Sequence, residues 1–481
     1  MQGFRSSLAL SFAQRYSVAA IQLVSMVVIA RLLSPAEIGI FAVAFTLVAF
    51  LHAFCESGIA NYVIQERELT PDRTRTAFTL GLISCWFMAL LLASAHGAIG
   101  RSLGDPRVGS AVLALSATFL VLPITIPVVA LLRRRMAFGV LYVVGTVGAL
   151  VSAATAILLA GLGVGFMALT WAAVAEAVVT AAAASLCRVS LPRGPLVGLR
   201  EWRRVAAFGG QAAAASGLNG LGNLVANLAT GRMLGFDAAG LLNRARRVVG
   251  LFSDGVLQAV TPVALPALAP LHHRDDGTSA LKTAYLKKVA AISGTAWPFF
   301  LFVALTAHLL VPVLLGGQWD AAVPLVRALC LAGVVLPFHV ADGAFMIALG
   351  RVRAYMWIQA AQQLVSVVTI LIACLISVEA VALALAFGKL VKAALAKAVL
   401  GRELGFTAGE LAAACRKSLG LTVASAVGPA TLLLLWPEPG ASVAGLAGAA
   451  AGSACGWLVG VLVVDHPLKR EVEAGWKQVR A

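Results

Sequence analysis

Apolar segments of membrane-crossing length follow one another along almost the whole chain, with only short loops between them. A helix needs roughly 20 apolar residues to cross a bilayer. Lipid offers the backbone no hydrogen-bond partner, so each crossing must satisfy its own N–H and C=O groups as a helix. Fourteen spans can be read, at roughly 9–32, 37–64, 77–100, 109–132, 137–160, 165–187, 204–232, 237–268, 284–315, 321–349, 354–377, 379–400, 416–436 and 441–464. Breakers separate them, among them Ser34-Pro35, Thr70-Pro71, Gly161-Leu162-Gly163 and Gly316-Gly317, as turn chemistry requires. Only 12% of the 481 residues are charged, about half the share of a soluble domain. The expected class is therefore an all-α polytopic membrane protein, with no soluble catalytic domain.

The net charge of +16 would suggest nucleic acid in a soluble protein. Here it has a different cause, because multi-spanning proteins collect Lys and Arg on cytoplasmic loops. Loops after even-numbered spans hold Arg67, Arg73 and Arg75, then Arg133, Arg134 and Arg135, then Arg188, Arg193, Arg200, Arg203 and Arg204. Arg274, Lys282, Lys287, Lys288, Arg351, Arg353, Arg402, Arg416 and Lys417 continue the series. The alternate loops offer only Arg31, Arg101, Arg107 and Arg232. Both termini are thus expected in the cytoplasm, with residues 1–11 leading into an uncleaved first helix. Seven cysteines, odd in number and scattered without a CxxC pair, predict neither a disulfide nor a metal site. No GxxxxGK[ST] motif exists, so no ATP hydrolysis, no cofactor and no nucleic-acid partner are expected.

An internal repeat organises the spans. Arg31 through Gly39 at the end of span 1 is echoed by Arg232 through Gly240 at the end of span 7. Arg133-Arg134-Arg135 after span 4 is echoed by Arg351-Val352-Arg353 after span 10. Two echoes in the same order predict two six-helix lobes, 1–203 and 204–401, related by an axis along the membrane normal. Residues 402–481 add two helices and a tail.

Arg31-Leu32-Leu33-Ser34-Pro35-Ala36-Glu37-Ile38-Gly39, Ser57-Gly58-Ile59-Ala60-Asn61, Pro262, Pro266-Ala267-Leu268 and Gly317-Gln318-Trp319 with Pro324 resemble the Wzx-like polysaccharide-unit flippases. These belong to the multidrug/oligosaccharidyl-lipid/polysaccharide (MOP) exporter superfamily, and the closest branch is that of the colanic acid exporter. The resemblance implies a multi-pass protein of the bacterial inner membrane. It also implies a substrate, undecaprenyl-pyrophosphate-linked oligosaccharide, with a polysaccharide polymerase and co-polymerase as further partners. The mechanism it implies is alternating access of a central cavity between the two lobes.

Polar groups inside spans mark candidate sites, since hydrocarbon penalises them. Arg244 and Arg247 share one helix face and suit phosphate or acidic sugar, or they snorkel to headgroups. Asn219, Asn223 and Asn227 form a stripe that either binds sugar hydroxyls or serves helix packing with Gly220 and Gly222. Arg31, Arg232 and Arg327 complete the substrate-binding candidates. Glu56, Asp254 and Asp342 are candidates for ion coupling, or for salt bridges. Lys389 and Lys392 are expected to snorkel to the inner surface. Two rival functions stay open. A drug or cation antiporter of the same superfamily should carry fewer cavity arginines. A membrane-embedded glycan polymerase or ligase should carry a large extracytoplasmic loop.

Overall fold

A computed structural model describes residues 2–66, 70–186, 198–252, 268, 277–435, 442–464 and 466–469. No strand occurs among them. Asp254, Arg67, Arg274 and residues 187–197 with Arg188 and Arg193 lie outside the described residues. Contacts divide the chain into two compact units, Met1–Gly240 and Leu241–Ala481.

The first unit holds α1 (Gln2–Leu32), α2 (Pro35–Gln65), α3 (Pro71–Leu103), α4 (Pro106–Ser116), α5 (Thr118–Arg134), α6 (Phe138–Gly161), α7 (Met167–Leu186) and α8 (Trp202–Met233). The first residues of α9 (Phe236–Phe252) also fall within it. The Ser34-Pro35-Ala36-Glu37 motif starts α2 for a local reason. Ser34 N–H donates to Glu37 Oε2 at 2.8 Å and Glu37 N–H donates to Ser34 Oγ at 3.4 Å, a reciprocal capping box with Pro35 as first helical residue. The predicted span 109–132 is two helices, α4 and α5, bent by 41° at Ala117. The bend is not at Pro123 or Pro127, which lie inside α5. Ser116 and Thr118 instead bond back to Leu113 O and Leu115 O at the break, and such back-bonding bends helices.

The core of this unit is centred on α2. Along α2 the long helix α8 runs antiparallel, and glycines make the close approach possible. Gly58 and Gly209 face each other backbone to backbone, and a Cβ on Gly58 would sit 3.1 Å from Gly209 O. Gly220 accommodates the Phe50 ring, Gly217 the Phe54 ring, and Gly231 the Val43 side chain. Ser216 Oγ–H donates to Ser57 Oγ at 2.6 Å in the same seam. This is the small-residue packing that membrane helices use in place of a hydrophobic drive.

The second unit continues with α10 (Gly277–Leu315), a 3₁₀ turn at Gly317–Ala322, α11 (Val323–Val335), a second 3₁₀ turn at Leu336–Phe338, α12 (Asp342–Ala348), α13 (Val352–Ala373), α14 (Val378–Leu404), α15 (Ala408–Leu435) and α16 (Val443–Val463). The predicted span 321–349 is thus interrupted, with Ala341 at φ 59° just before α12. Helix α10 packs on α11, α15 and α16, and α14 packs on α11 and α13. Helices α15 and α16 meet through Gly428, Gly452 and Gly456, with Ser425 and Ser453 hydrogen-bonded at 2.9 Å.

Among the described residues, nine helices are long and apolar enough to cross a membrane, or ten if α4 and α5 count as one bent span. Helices α8 and α14 fall outside that count, α8 being rich in Gly and Asn and α14 carrying three lysines. Each of the fourteen predicted segments contains described helix, residues 253–267 of the eighth lying outside the described residues, so the polytopic all-α expectation holds.

Candidate functional site

Charge is placed differently in the two units. In the first unit it collects at one end. Glu66, at the close of α2, pairs with Arg73 at 3.4 Å and with Arg204 at 3.3 Å. Arg73 Nε–H also donates to Glu201 at 2.9 Å, and Asp72 takes Arg75 and Arg200. Arg134, at the end of α5, donates to the carbonyls of Val63 and Glu66. These bonds satisfy the C-terminal carbonyls of α2 and tie the starts of α3 and α8 to it. At the opposite end, Asp105 caps α4 and receives Arg107 through its backbone N–H at 2.8 Å and its guanidinium at 2.7 Å. The Arg107 guanidinium holds the Asp105 carboxyl below the usual carboxylate range.

Within the first unit, the sequence-predicted residues are spread out. Glu56 is half-buried on α2, one turn after His52, which feels its charge and stacks edge-on against Phe119. Asn219 and Asn223 are exposed on α8, on a part of the helix that the glycine seam leaves open. Asn227 is buried, with Nδ2–H donating to Asn223 O at 3.0 Å and Oδ1 lacking a hydrogen-bond partner among the described residues. Arg31 is exposed at the end of α1. Arg232 is also exposed, and its Nε–H donates to Ser102 O at 3.0 Å, closing the C-terminus of α3. The structure does not bring these two arginines to the Asn stripe.

The second unit carries charge inside. Asp342, at the start of α12, is 2% exposed. Lys288 of α10 donates to Asp342 Oδ1 at 2.7 Å and to Val340 O at 3.0 Å. The same ammonium lies 4.3 Å from the Tyr285 ring centroid, a cation–π contact that offsets part of its burial. Asp342 Oδ2 has no hydrogen-bond partner among the described residues. Lys392 of α14 lies within electrostatic reach of Asp342, Lys389 one turn earlier reaches Arg246 of α9, and His339 faces all three lysines. Lys397 continues the α14 series over the Phe338 ring at 5.0 Å.

The arginines of α9 divide. Arg244 is buried, its guanidinium 5.9 Å from the Trp319 ring centroid. Its Nε has no hydrogen-bond partner among the described residues. Arg247 is exposed, while half-buried Arg246 is the one near Lys389. Among the described residues one ribbon of groups therefore runs Arg246, Lys389, Lys392, Asp342, Lys288, in which Asp342 is buried, Arg246 and Lys392 are half-buried and Lys389 is exposed. Sequence reasoning found Asp342 and missed the rest. Lys288 reads as loop charge, Lys389 and Lys392 read as snorkelling, and the helical 3.6 period gives no signal for a partner 54 residues away.

Arg327 stands apart from that ribbon. It projects from the first turns of α11 and lines an apolar crevice of about 260 Å³ bounded by α10, α11 and α15. Its Nε–H donates to Ala304 O at 3.3 Å.

At the far end of the second unit, His466 is almost fully buried. Its Nδ1 accepts from Leu468 N–H at 3.2 Å, so Nε2 carries the proton facing Ser418 Oγ at 3.1 Å. Ser418 in turn meets Ser293 of α10 at 2.8 Å. Gly294 leaves the room the imidazole needs, since a Cβ there would sit 2.6 Å from His466 Cε1. Burial lowers the His466 pKa, and the charge of Lys417 lowers it further.

Comparison with known proteins agrees with this architecture. The model of the family described as polysaccharide biosynthesis protein matches residues 28–324. The chain is 25% identical over 339 residues to the lipopolysaccharide biosynthesis protein WzxC of Escherichia coli (strain K12), covering 69% of this chain and 67% of that one. It is 26% identical over 330 residues to the succinoglycan biosynthesis transport protein ExoT of Rhizobium meliloti (strain 1021), covering 66% and 64%. The chain therefore spans about two thirds of the length of these relatives. Among solved structures, the lipid II flippase MurJ in an inward closed conformation matches with a TM-score of 0.71 at 10% identity, over 94% of this chain and 98% of that one. An inward-facing multidrug resistance MATE family transporter of the MOP superfamily matches with a TM-score of 0.62 at 16% identity, over 82% and 98%. The fold is that of the MOP superfamily, and the resemblance carried by Arg31–Gly39 and Gly317-Gln318-Trp319 is borne out. Since the family model takes in well over half of the 481 residues, the chain is a multi-pass membrane protein that belongs to the polysaccharide biosynthesis protein family.

Proposed function

We propose that this chain is a flippase that moves undecaprenyl-pyrophosphate-linked oligosaccharide repeat units across the bacterial inner membrane by alternating access. It would serve exopolysaccharide, capsule or O-antigen synthesis. The observation that carries this reading is the gathering of cations in the second unit. Among the described residues, half-buried Arg246 and Lys392 and exposed Lys389 adjoin the Lys288–Asp342 pair, and Arg244 is buried on the same helix as Arg246. Cations gathered this closely create a positive potential that attracts an anion, and a pyrophosphate carries the charge to meet it. Arg246 suits phosphate through its planar fork and the lysines as point charges. A cationic drug would be repelled, which weighs against the antiporter. The family and its fold weigh against a polymerase or ligase.

In this reading both termini are cytoplasmic, following the loop charges, and the Glu66–Arg73–Arg204 cluster lies at the cytoplasmic end. The lobes are 1–203 and 204–401, with 402–481 appended. The reciprocal crossing of α2 and α9 supports the repeat. A Cβ on Gly39 would run into the Phe236 carbonyl, and one on Gly240 into the Pro35 carbonyl. The two pairs sit at the same offset of 201 residues (39 with 240, 35 with 236), so the crossing is symmetric. The exposed Asn219 and Asn223 offer hydrogen bonds to sugar hydroxyls. Asp342, held against Lys288, and Glu56, beside His52, are the coupling groups. A polysaccharide polymerase and co-polymerase act on the delivered units.

The test is complementation of a host lacking its own exporter for this polysaccharide. Arg246→Ala with Lys389→Ala should abolish polymer output at normal membrane levels of protein. Full output from that double variant would remove the ribbon from the substrate path.

A further inference from the structure

The crevice beside Arg327 belongs to neither the cation ribbon nor the α2–α8 seam. Its walls are Trp297, Phe300 and Ala304 of α10, Leu331 and Val334 of α11, and Leu419 of α15, with Arg327 at its rim. Leu331, Val334 and Leu419 are each more than half exposed. On a water-filled face such residues would be out of place, whereas on a membrane helix an exposed apolar stripe is the surface that meets acyl chains. Trp297 Nε1–H donates to Val334 O at 3.0 Å, holding α10 and α11 apart at a fixed width.

Arg327 is the anomaly on this face. It is exposed, and among the described residues no carboxylate pairs with it. Its bond to Ala304 O uses Nε–H alone. Ala304 lies eleven residues before the end of α10 at Leu315, about 16 Å at the helical rise. Even with the side chain reaching back toward the N-terminus of its own helix, the guanidinium is below the level of that helix end. A charge at such depth on an apolar face needs a counter-charge that comes with the lipid. His308, one turn beyond Ala304, lies within electrostatic reach of Arg327.

We infer that this crevice is a binding site for one anionic phospholipid, with an acyl chain between α10, α11 and α15 and the phosphate on the free edge of Arg327. The volume fits this occupant. An apolar cavity of about 150 Å³ holds benzene, and drug-sized ligands take about 300 Å³ or more. A space of about 260 Å³ thus accepts a stretch of one chain and leaves the rest of the lipid in the bilayer. A long polyprenyl chain would fill the same stretch and leave most of its length uncovered. The inference stands on the second unit alone and does not depend on what the protein transports.

Photolabelling of the full-length protein in nanodiscs tests it. The probe is phosphatidylglycerol with a diazirine on one acyl chain, and labelled positions are mapped by peptide mass spectrometry. Wild type should be labelled in 327–334 and 419–422. Arg327→Ala should lower that labelling about tenfold, the order expected for loss of a charge-assisted contact. Arg327→Lys should keep much of it. Leu331→Trp, which fills the crevice and leaves the charge, should abolish it in a protein that remains monodisperse. Equal labelling of wild type and Arg327→Ala would overturn the inference, as would equal labelling by diazirine phosphatidylcholine and phosphatidylglycerol. Displacement of the probe by equimolar undecaprenyl phosphate but not by phosphatidylglycerol would reassign the crevice to the polyprenyl substrate and overturn it too.

Discussion

The two units solve the problem of charge in opposite ways. In the first, acids and bases meet at the ends of helices, as in Glu66 with Arg73 and Arg204 or Asp105 with Arg107, while the middle of the α2–α8 seam is glycine, serine and phenylalanine. In the second, a row of half-buried to exposed cations adjoins the buried Lys288–Asp342 pair among the described residues. Ion pairs at helix ends, with one or both members partly exposed, contribute less than buried ones and mainly set where loops sit. Cations gathered in one place repel one another and attract an anion. The proposed recognition of an anionic substrate therefore rests on the second unit.

The strongest way to break that contrast is at Asp342. Asp342→Ala leaves Lys288 buried without its partner, and removing one member of a buried pair costs about 3–5 kcal/mol. Thermal unfolding in detergent should show this as the largest loss of any single change considered. Replacing both members, Lys288→Met with Asp342→Leu, should restore most of the stability. A stable Asp342→Ala protein would mean that the ribbon is already hydrated or paired.

The seam of the first unit is tested next. Gly240→Ala and Gly39→Ala each push a Cβ into a backbone carbonyl that cannot rotate away, an overpacking cost of about 1–3 kcal/mol. Gly210, on α8 and facing open space, should accept Ala with a small gain, because Ala is the better helix former. Equal behaviour at the three positions would show that α2 and α9 do not touch as described.

A smaller effect is expected at the charged end. Glu66→Gln should lower stability less than Gly240→Ala does. Limited proteolysis should, however, cut within residues 67–69 faster, because Arg73 and Arg204 lose their common acceptor. Unchanged cleavage would leave that cluster without a holding role.

The smallest effect concerns pH. His466 titrates below the ordinary histidine value in the folded protein because burial opposes its charge. The stability it confers is complete above about pH 6.5, the unfolded value. It is lost as pH falls through the native value, since a proton on Nδ1 would face Leu468 N–H. Hydrogen exchange at residues 466–469 should accelerate between pH 7 and 5 and should lose that dependence in His466→Asn. No change in that window would leave the C-terminal contact insensitive to protonation.

Much of this was legible in the sequence because membrane spans announce themselves by length and composition. Ser34-Pro35-Ala36-Glu37 is legible for another reason, since a capping box is a local device. The bend at Ala117 was not, because Pro123 and Pro127 look like the breakers and are tolerated inside α5. The interruption around Pro337 and Ala341 was hidden in an unbroken apolar run. Asp342 stood out as an acid in hydrocarbon, whereas Lys288 was lost among loop charges, because its partner is joined only by the fold. The Asn stripe and the glycines of α8 looked like one feature, and the structure separates them. Gly217 and Gly220 take the phenylalanines of α2, while Asn219 and Asn223 remain exposed.

The central claim is that the cations of the second unit recognise a lipid-linked pyrophosphate and carry it across the membrane. The direct measurement uses purified protein in proteoliposomes with fluorescent undecaprenyl-pyrophosphate oligosaccharide, following loss of fluorescence to a membrane-impermeant quencher. Wild type should speed the appearance of the glycan on the opposite leaflet. Arg246→Ala with Lys389→Ala should return the rate to that of empty liposomes, while Gly210→Ala should leave it as in wild type. Wild-type flipping by the double alanine variant would contradict the account.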